Sequence, residues 1–207
     1  MPLFTGHDLT CVRGERRVFA GLAFALDPGR ALVLTGANGS GKTSLMRLMA
    51  GLGRPAEGEI RWDGENIAGD PESHNARLQF VGHGDTVKPA LTARENVAFW
   101  TALRGDGDPD AGLAAFALDA LAEVPGRFLS AGQRRRVNLA RLAAARAELW
   151  LLDEPATALD SDSVACLQRA IARHRAAGGM VVLSTHGGLD VPDAAFLDLS
   201  ARARAAA

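Results

Sequence analysis

Gly36-Ala37-Asn38-Gly39-Ser40-Gly41-Lys42-Thr43 sets one lysine and one hydroxyl behind three glycines, the residue types needed to hold a polyphosphate. The glycines let the backbone turn tightly and aim successive N–H groups inward. An apolar run, Ala31 to Thr35, precedes the loop, and the helix-like run Ser44 to Met49 follows it. The loop therefore ends on a helix N-terminus, whose positive dipole end favours anions. In that setting Lys42 reaches the β- and γ-phosphates, and the Thr43 hydroxyl takes a place on Mg²⁺. A second stretch, Leu149-Trp150-Leu151-Leu152-Asp153-Glu154, is an apolar strand ending in two acids. At the C-terminal end of a parallel strand both face the ligand crevice. Asp153 would hold Mg²⁺ through water, and Glu154 would accept a proton from the water attacking the γ-phosphorus.

Leu129-Ser130-Ala131-Gly132-Gln133 is the third candidate. Ser130 with Gln133 three residues on reads as a capping box that starts the following arginine-rich helix. Capping does not account for Gly132 in the first turn, where glycine costs about 1 kcal/mol relative to alanine. A backbone that approaches a phosphate closely would account for it. Arg134, Arg135 and Arg136 point in different directions on a helix and read as a solvated face. His74 and His174 have no neighbours in sequence that suggest a metal site.

The elements that must position these residues alternate. Leu3 to Arg13 and Val18 to Asp27 read as strands of an antiparallel region ahead of the phosphate loop, and Gly58 to Gly64 as another short strand. Residues 65–76 are polar and loop-like, Leu78 to Gly82 strand-like. Leu91 to Val124 takes on helical character, with a Gly- and Asp-rich loop at 105–112 before the run Leu113 to Leu118; it reads as a helical insertion. A helix to about Ala147, a strand from Leu149 to Asp153, a helix from Ser161 to Ala177 and a strand from Met180 to Thr185 follow. Continuous apolar strands alternating with helices argue an α/β fold with a mainly parallel sheet covered on both faces. The tail Ala201 to Ala207 reads as disordered, and 21 residues after His186 leave no room for a C-terminal regulatory domain.

At 207 residues, 47% hydrophobic and 23% charged, the chain suits one domain with a substantial core. A net charge of -1 gives no electrostatic case for nucleic acid. Of 23 basic residues only Lys42 and Lys88 are lysines, which makes the lysine in the phosphate loop more telling. Cys11 and Cys166 lack partners at metal-ligand spacing and read as buried thiols. No apolar run is long enough to cross a bilayer, so in a membrane process another chain must form the channel.

GANGSGKT, LSAGQ, LLDEP, the turn Thr157-Ala158-Leu159-Asp160 and His186 follow one another in the order of the ATP-binding cassette (ABC) family, which the chain resembles along nearly its whole length. The resemblance implies a P-loop NTPase of the ABC ATPase type, with an N-terminal antiparallel β region and a helical subdomain. It implies a single domain over residues 1–207, with 1–83 and 148–207 as nucleotide-binding core and about 84–147 as the helical subdomain. It also implies a nucleotide-sandwich homodimer, with Ser130, Ala131, Gly132 and Gln133 of one subunit covering the γ-phosphate bound by Gly36 to Thr43 of the other, and with Ser44 and Asp160 among the nucleotide-binding residues. His186 would sense the γ-phosphate and join Glu154 and Lys42 as a catalytic residue. Two positions depart from the family pattern. Arg13 stands where most cassettes stack an aromatic on adenine, and its planar guanidinium can also stack on a base. His83 stands in place of the usual glutamine; imidazole is a poor direct Mg²⁺ ligand, so it would act through water or on coupling to a partner.

Phe80-Val81-Gly82-His83, Leu91-Thr92-Ala93-Arg94-Glu95-Asn96, Leu129 to Val137 and Gly178 to His186 look like the small ATP-binding subunit of the bacterial cytochrome c maturation system, described as a haem exporter. That resemblance implies an ATPase on the cytoplasmic face of the inner membrane, coupled to integral permease subunits and touching no cargo itself. Two rivals are a cassette ATPase for another solute and a soluble cassette protein acting on DNA or ribosomes. Soluble members generally carry long coiled coils or two linked cassettes, and neither is present.

Overall fold

The computed structural model describes residues 3–84, 86–185 and 187–200. In chain order the elements are β1 (Phe4–Arg13), β2 (Arg16–Leu26), β3 (Ala31–Thr35), α1 (Lys42–Met49), β4 (Glu57–Trp62), β5 (Glu65–Asn66), α2 (Pro71–Arg77), β6 (Leu78–Val81), α3 (Ala93–Arg104), α4 (Pro109–Ala115), α5 (Ala131–Ala144), β7 (Leu149–Asp153), α6 (Ser161–Ala176), β8 (Met180–Ser184) and β9 (Ala195–Asp198). β1, β2, β4 and β5 form an antiparallel sheet in the order β2-β1-β4-β5, and the other strands a parallel sheet in the order β6-β7-β8-β3-β9.

Two apolar cores flank the parallel sheet because its strands alternate. Leu32, Leu34, Leu149, Leu151, Met180 and Val182 face α1 and the antiparallel sheet, where Phe4, Phe19, Leu45, Met46 and Trp62 meet them. Ala31, Val33, Trp150, Leu152, Val181 and Leu183 face the other way, onto α5, α6 and the α3–α4 pair. A strand apolar at every position is the expected outcome when both faces are covered.

The short elements depart from the sequence reading. Residues 65–76 are not simply a loop. Glu65–Asn66 pairs with β4, and Asp70 caps α2 by accepting a hydrogen bond from Ser73 N at 3.0 Å, with Pro71 at the first helical position. In the 105–112 stretch, Asp108 accepts from Asp110 N and Ala111 N, so α4 starts at Pro109, and by Ala115 the helix is over. β9, on the short apolar run Ala194 to Leu197, is a strand the sequence reading did not include; it lies mostly exposed along β3. The tail Ala201 to Ala207 lies outside the described residues.

The outer edge of β6 is capped by side chains. Arg104 Nη2 donates to Leu78 O at 2.7 Å, Arg141 Nη2 donates to Phe80 O, and Arg135 Nη1 donates to Gly82 O at 3.0 Å. Alternate carbonyls of a strand point to the same side, so three guanidinia from α3 and α5 take the place of a sixth strand. They crowd one another. Burial, then the charges of Arg135 and Arg104, brings Arg141 down to about 10.

Candidate nucleotide site

The phosphate loop closes on itself. Gly36 (φ 131°), Gly39 (φ 79°) and Gly41 (φ 103°) occupy the left-handed half of conformational space, which a side chain would strain. At Gly41 a Cβ would also stand 2.7 Å from Val18 and 2.9 Å from Phe19, so the β1–β2 hairpin packs directly on the loop. Lys42, buried at the start of α1, donates from Nζ to Gly36 O at 2.7 Å and Ala37 O at 3.3 Å. Ser40 Oγ is buried inside the loop with no hydrogen-bond partner among the described residues. A loop with a held ammonium, an orphaned hydroxyl and a helix N-terminus fits a polyphosphate.

At the end of β7, Asp153 is almost wholly buried and both its oxygens are used. Oδ2 accepts from Thr43 Oγ1 and Oδ1 from Ser184 Oγ, each at 2.7 Å. Ser184 also accepts from Glu154 N at 2.9 Å. Sequence reasoning gave Ser184 no role, although its place at the end of the neighbouring strand, opposite Asp153, is the available signal. Glu154 itself has φ 48°, a strained conformation for a side-chain-bearing residue, and opens the turn to Asp160. His83 Nδ1 lies 3.8 Å from Glu154 Oε2, with its ring largely exposed. The hydroxyl of Thr43 and the carboxylate of Asp153 form a hard oxygen pair that fits Mg²⁺, which takes few protein ligands and completes its shell with phosphates and water. Among the described residues no group of three or more His, Cys, Asp or Glu converges as a metal cage.

Ser130 caps α5 as its sequence suggests: its Oγ accepts from Gln133 N at 3.2 Å, and Gln133 Oε1 accepts from Ser130 N at 2.8 Å. Ala131 is exposed and Gly132 half-buried. A Cβ on Gly132 would stand 3.1 Å from Ala158 O, which gives the glycine a reason within its own chain. Ser130 and Gln133 bond to each other rather than to Gly36–Thr43. Asp160 caps α6 by accepting from Ser163 N at 2.8 Å, and the Ser163 hydroxyl and N–H hold its carboxyl below the usual range. Arg13 ends β1 on the exposed hairpin; beneath it burial pushes the Cys11 thiol up while the Arg13 charge pulls it down. Cys11 and Cys166 are free and buried, as their spacing predicts. His186 lies outside the described residues.

Arg135 is a correction. It is buried, not part of a solvated face. The helix turns it inward between β6 and the Glu154 turn.

The model of the ABC transporter family matches residues 19–157, a span from β2 through both acids into the turn beyond them. The chain belongs to the ABC transporter family. The chain is therefore an ATP-binding ATPase. It is 60% identical over 199 residues to the cytochrome c biogenesis ATP-binding export protein CcmA of Rhodospirillum rubrum, covering 95% of this chain and 85% of that one. Against CcmA of Paramagnetospirillum magneticum the identity is 55% over 202 residues, covering 95% and 93%. Among solved structures, a putative ABC transporter ATP-binding protein from Pyrococcus furiosus superposes with a TM-score of 0.80 at 23% identity, covering 95% of this chain and 96% of that one. A dimeric ATP-binding cassette in a post-hydrolysis state, bound to ADP and Pi, gives 0.77 at 24% identity, covering 89% and 88%. Both carry the same ABC ATPase fold.

Proposed function

We propose that this chain is the ATP-hydrolysing subunit of a membrane export complex in cytochrome c biogenesis, driving haem export or release of a haem-loaded carrier. The observation that carries this reading is likeness along almost the whole chain to relatives named as cytochrome c biogenesis ATP-binding export proteins. The subunit would work as a homodimer on the cytoplasmic face of the bacterial inner membrane. No described helix is long and apolar enough to cross a membrane, so permease chains would supply the path.

In hydrolysis, Gly36 to Ser44 bind the phosphates through backbone N–H groups, and Lys42 neutralises charge on the β- and γ-phosphates. Mg²⁺, when bound, offsets the charge that grows on the phosphate oxygens; Thr43 and Asp153 would hold it, with His83 contributing at most through water. Glu154 takes a proton from water as the water oxygen bonds to the γ-phosphorus and the bond to the β-phosphate oxygen breaks. Arg13 would carry the base. Ser130 to Gln133 and Asp160 would complete the site of the opposite subunit, with His186 at the γ-phosphate. ATP favours the closed dimer over the open one, and that difference in affinity biases the partner's conformation.

The test is a pull-down of tagged Glu154→Gln protein from its own membranes with ATP. Co-purification of cytochrome maturation subunits with accumulated haem-loaded carrier supports the reading. An unrelated permease removes the haem assignment and leaves the ATPase, whereas no membrane chain at all favours a soluble role.

A further inference from the structure

The start of α5 and the turn that opens at Glu154 are joined by one side chain. Arg135 lies in the second turn of α5, five residues after the helix cap Ser130. Its Nη2 donates to Glu154 O at 2.8 Å and Asp153 O at 3.2 Å, its Nε to Pro155 O at 3.2 Å, and its Nη1 to Gly82 O, next to His83. The guanidinium thus holds the three carbonyls that bracket Glu154 and the end of β6 at once. Gly132 faces the far end of the same turn, where a Cβ on it would stand 3.1 Å from Ala158 O. The backbone it grips is strained at Glu154 (φ 48°), which sits in the left-handed region and needs surrounding bonds to stay there, and Ala158 (φ 64°), farther along the turn, sits there too.

We propose that Arg135 is a positioning residue that couples the two ATP sites of the dimer: it fixes Glu154 relative to Ser130–Gln133 of the same subunit, so that engaging one site sets the base in the other. The proposal rests on the reading of Glu154 as the base and of Ser130–Gln133 as the cover of the opposite site. A planar fork with five donors is suited to bridging several carbonyls, whereas an ammonium on the same stem reaches fewer of them in fixed geometry. Arg135 touches neither water nor phosphate in this scheme. It acts through the backbone of Glu154.

The test compares Arg135→Gln, Arg135→Lys and Glu154→Gln in the purified membrane complex, measuring kcat, KM, binding of a fluorescent nucleotide and the shape of the rate curve against ATP. Misplacing a base by about an ångström costs about 10²-fold, so Arg135→Gln should lower kcat by about 10- to 100-fold while KM and nucleotide affinity stay within about threefold. Arg135→Lys, which keeps the charge, should fall between and serves if the glutamine variant does not fold. A sigmoidal curve in the unaltered complex should become hyperbolic in both variants. If Glu154→Gln abolishes turnover but Arg135→Gln keeps it within twofold, the inference is wrong and the base assignment stands. Loss of affinity in parallel with kcat in both arginine variants reduces Arg135 to a packing role, and a hyperbolic curve for the unaltered complex removes the coupling. If Glu154→Gln retains full turnover, the base assignment fails and the inference with it.

Discussion

Thr43 Oγ1 donates to Asp153 Oδ2 at 2.7 Å, linking the first turn of α1 to the end of β7 across 110 positions of sequence. With Ser184 on the other oxygen, the carboxylate is fixed on both sides before any cation arrives. Preorganisation of this kind avoids reorganisation when charge develops on the phosphates.

Asp153→Asn keeps the size of the side chain, removes the charge and turns one of its two accepting oxygens into a donor. Turnover should fall by about 10²-fold or more, and the Mg²⁺ concentration for half-maximal rate should rise. Nucleotide binding in the presence of a chelator should change little. Titrating a fluorescent nucleotide with and without Mg²⁺ separates the two effects, and equal losses in both would refute the role.

Gly41→Ala should damage the loop more than Gly39→Ala. Both need positive φ, at a cost of about 1–3 kcal/mol for a non-glycine residue, but only Gly41 also abuts Val18 and Phe19; a Cβ at Gly39 meets open space. Nucleotide affinity measured calorimetrically should drop in that order, and the reverse order would contradict the packing described.

His174 makes stability depend on acidity. Its ring stacks on Trp150 with centroids 4.0 Å apart and lies within hydrogen-bonding distance of Met180 O through Nε2, and burial brings it down to about 4. Folded protein stays neutral there while unfolded chain takes up a proton near pH 6.5, so stability is full above that value and falls as the pH drops towards about 4, by on the order of 2–3 kcal/mol. Melting temperatures between pH 8 and pH 4 should show this slope, and His174→Phe should flatten it. His74, also buried with its pKa lowered, adds in the same direction.

Asn96 governs the segment before α3. Its Oδ1 accepts from Lys88 N at 2.7 Å, and its Nδ2 lies within hydrogen-bonding distance of the carbonyls of Lys88, Leu91 and Thr92. Asn96→Ala should cost about 1–3 kcal/mol and speed hydrogen exchange at the Lys88 amide, with the phosphate loop unchanged. Unaltered exchange at Lys88 would mean that the segment is held by other groups.

The phosphate loop, the strand with two acids and the two-core sheet were legible because each depends on local order: glycine spacing, apolar runs, a serine three residues before a glutamine. Ser184 and Arg135 were not, because their partners lie 31 and 18 to 53 positions away and only the sheet order brings them together. Arg135 was misread for a further reason. In a run of three arginines, sequence cannot say which one the helix turns inward. β5 and α2 were missed because two-residue pairing and a capped seven-residue helix leave little periodicity to detect.

The three guanidinia along β6 also restrict how the helical block can move. The carbonyls they hold are two residues apart, about 6.6 Å along an extended strand. A smaller slide would leave all three between partners, with buried charges unsolvated. A slide of the helices along β6 would therefore have to break all three contacts together, so the edge of the sheet keeps α3 and α5 in register with β6.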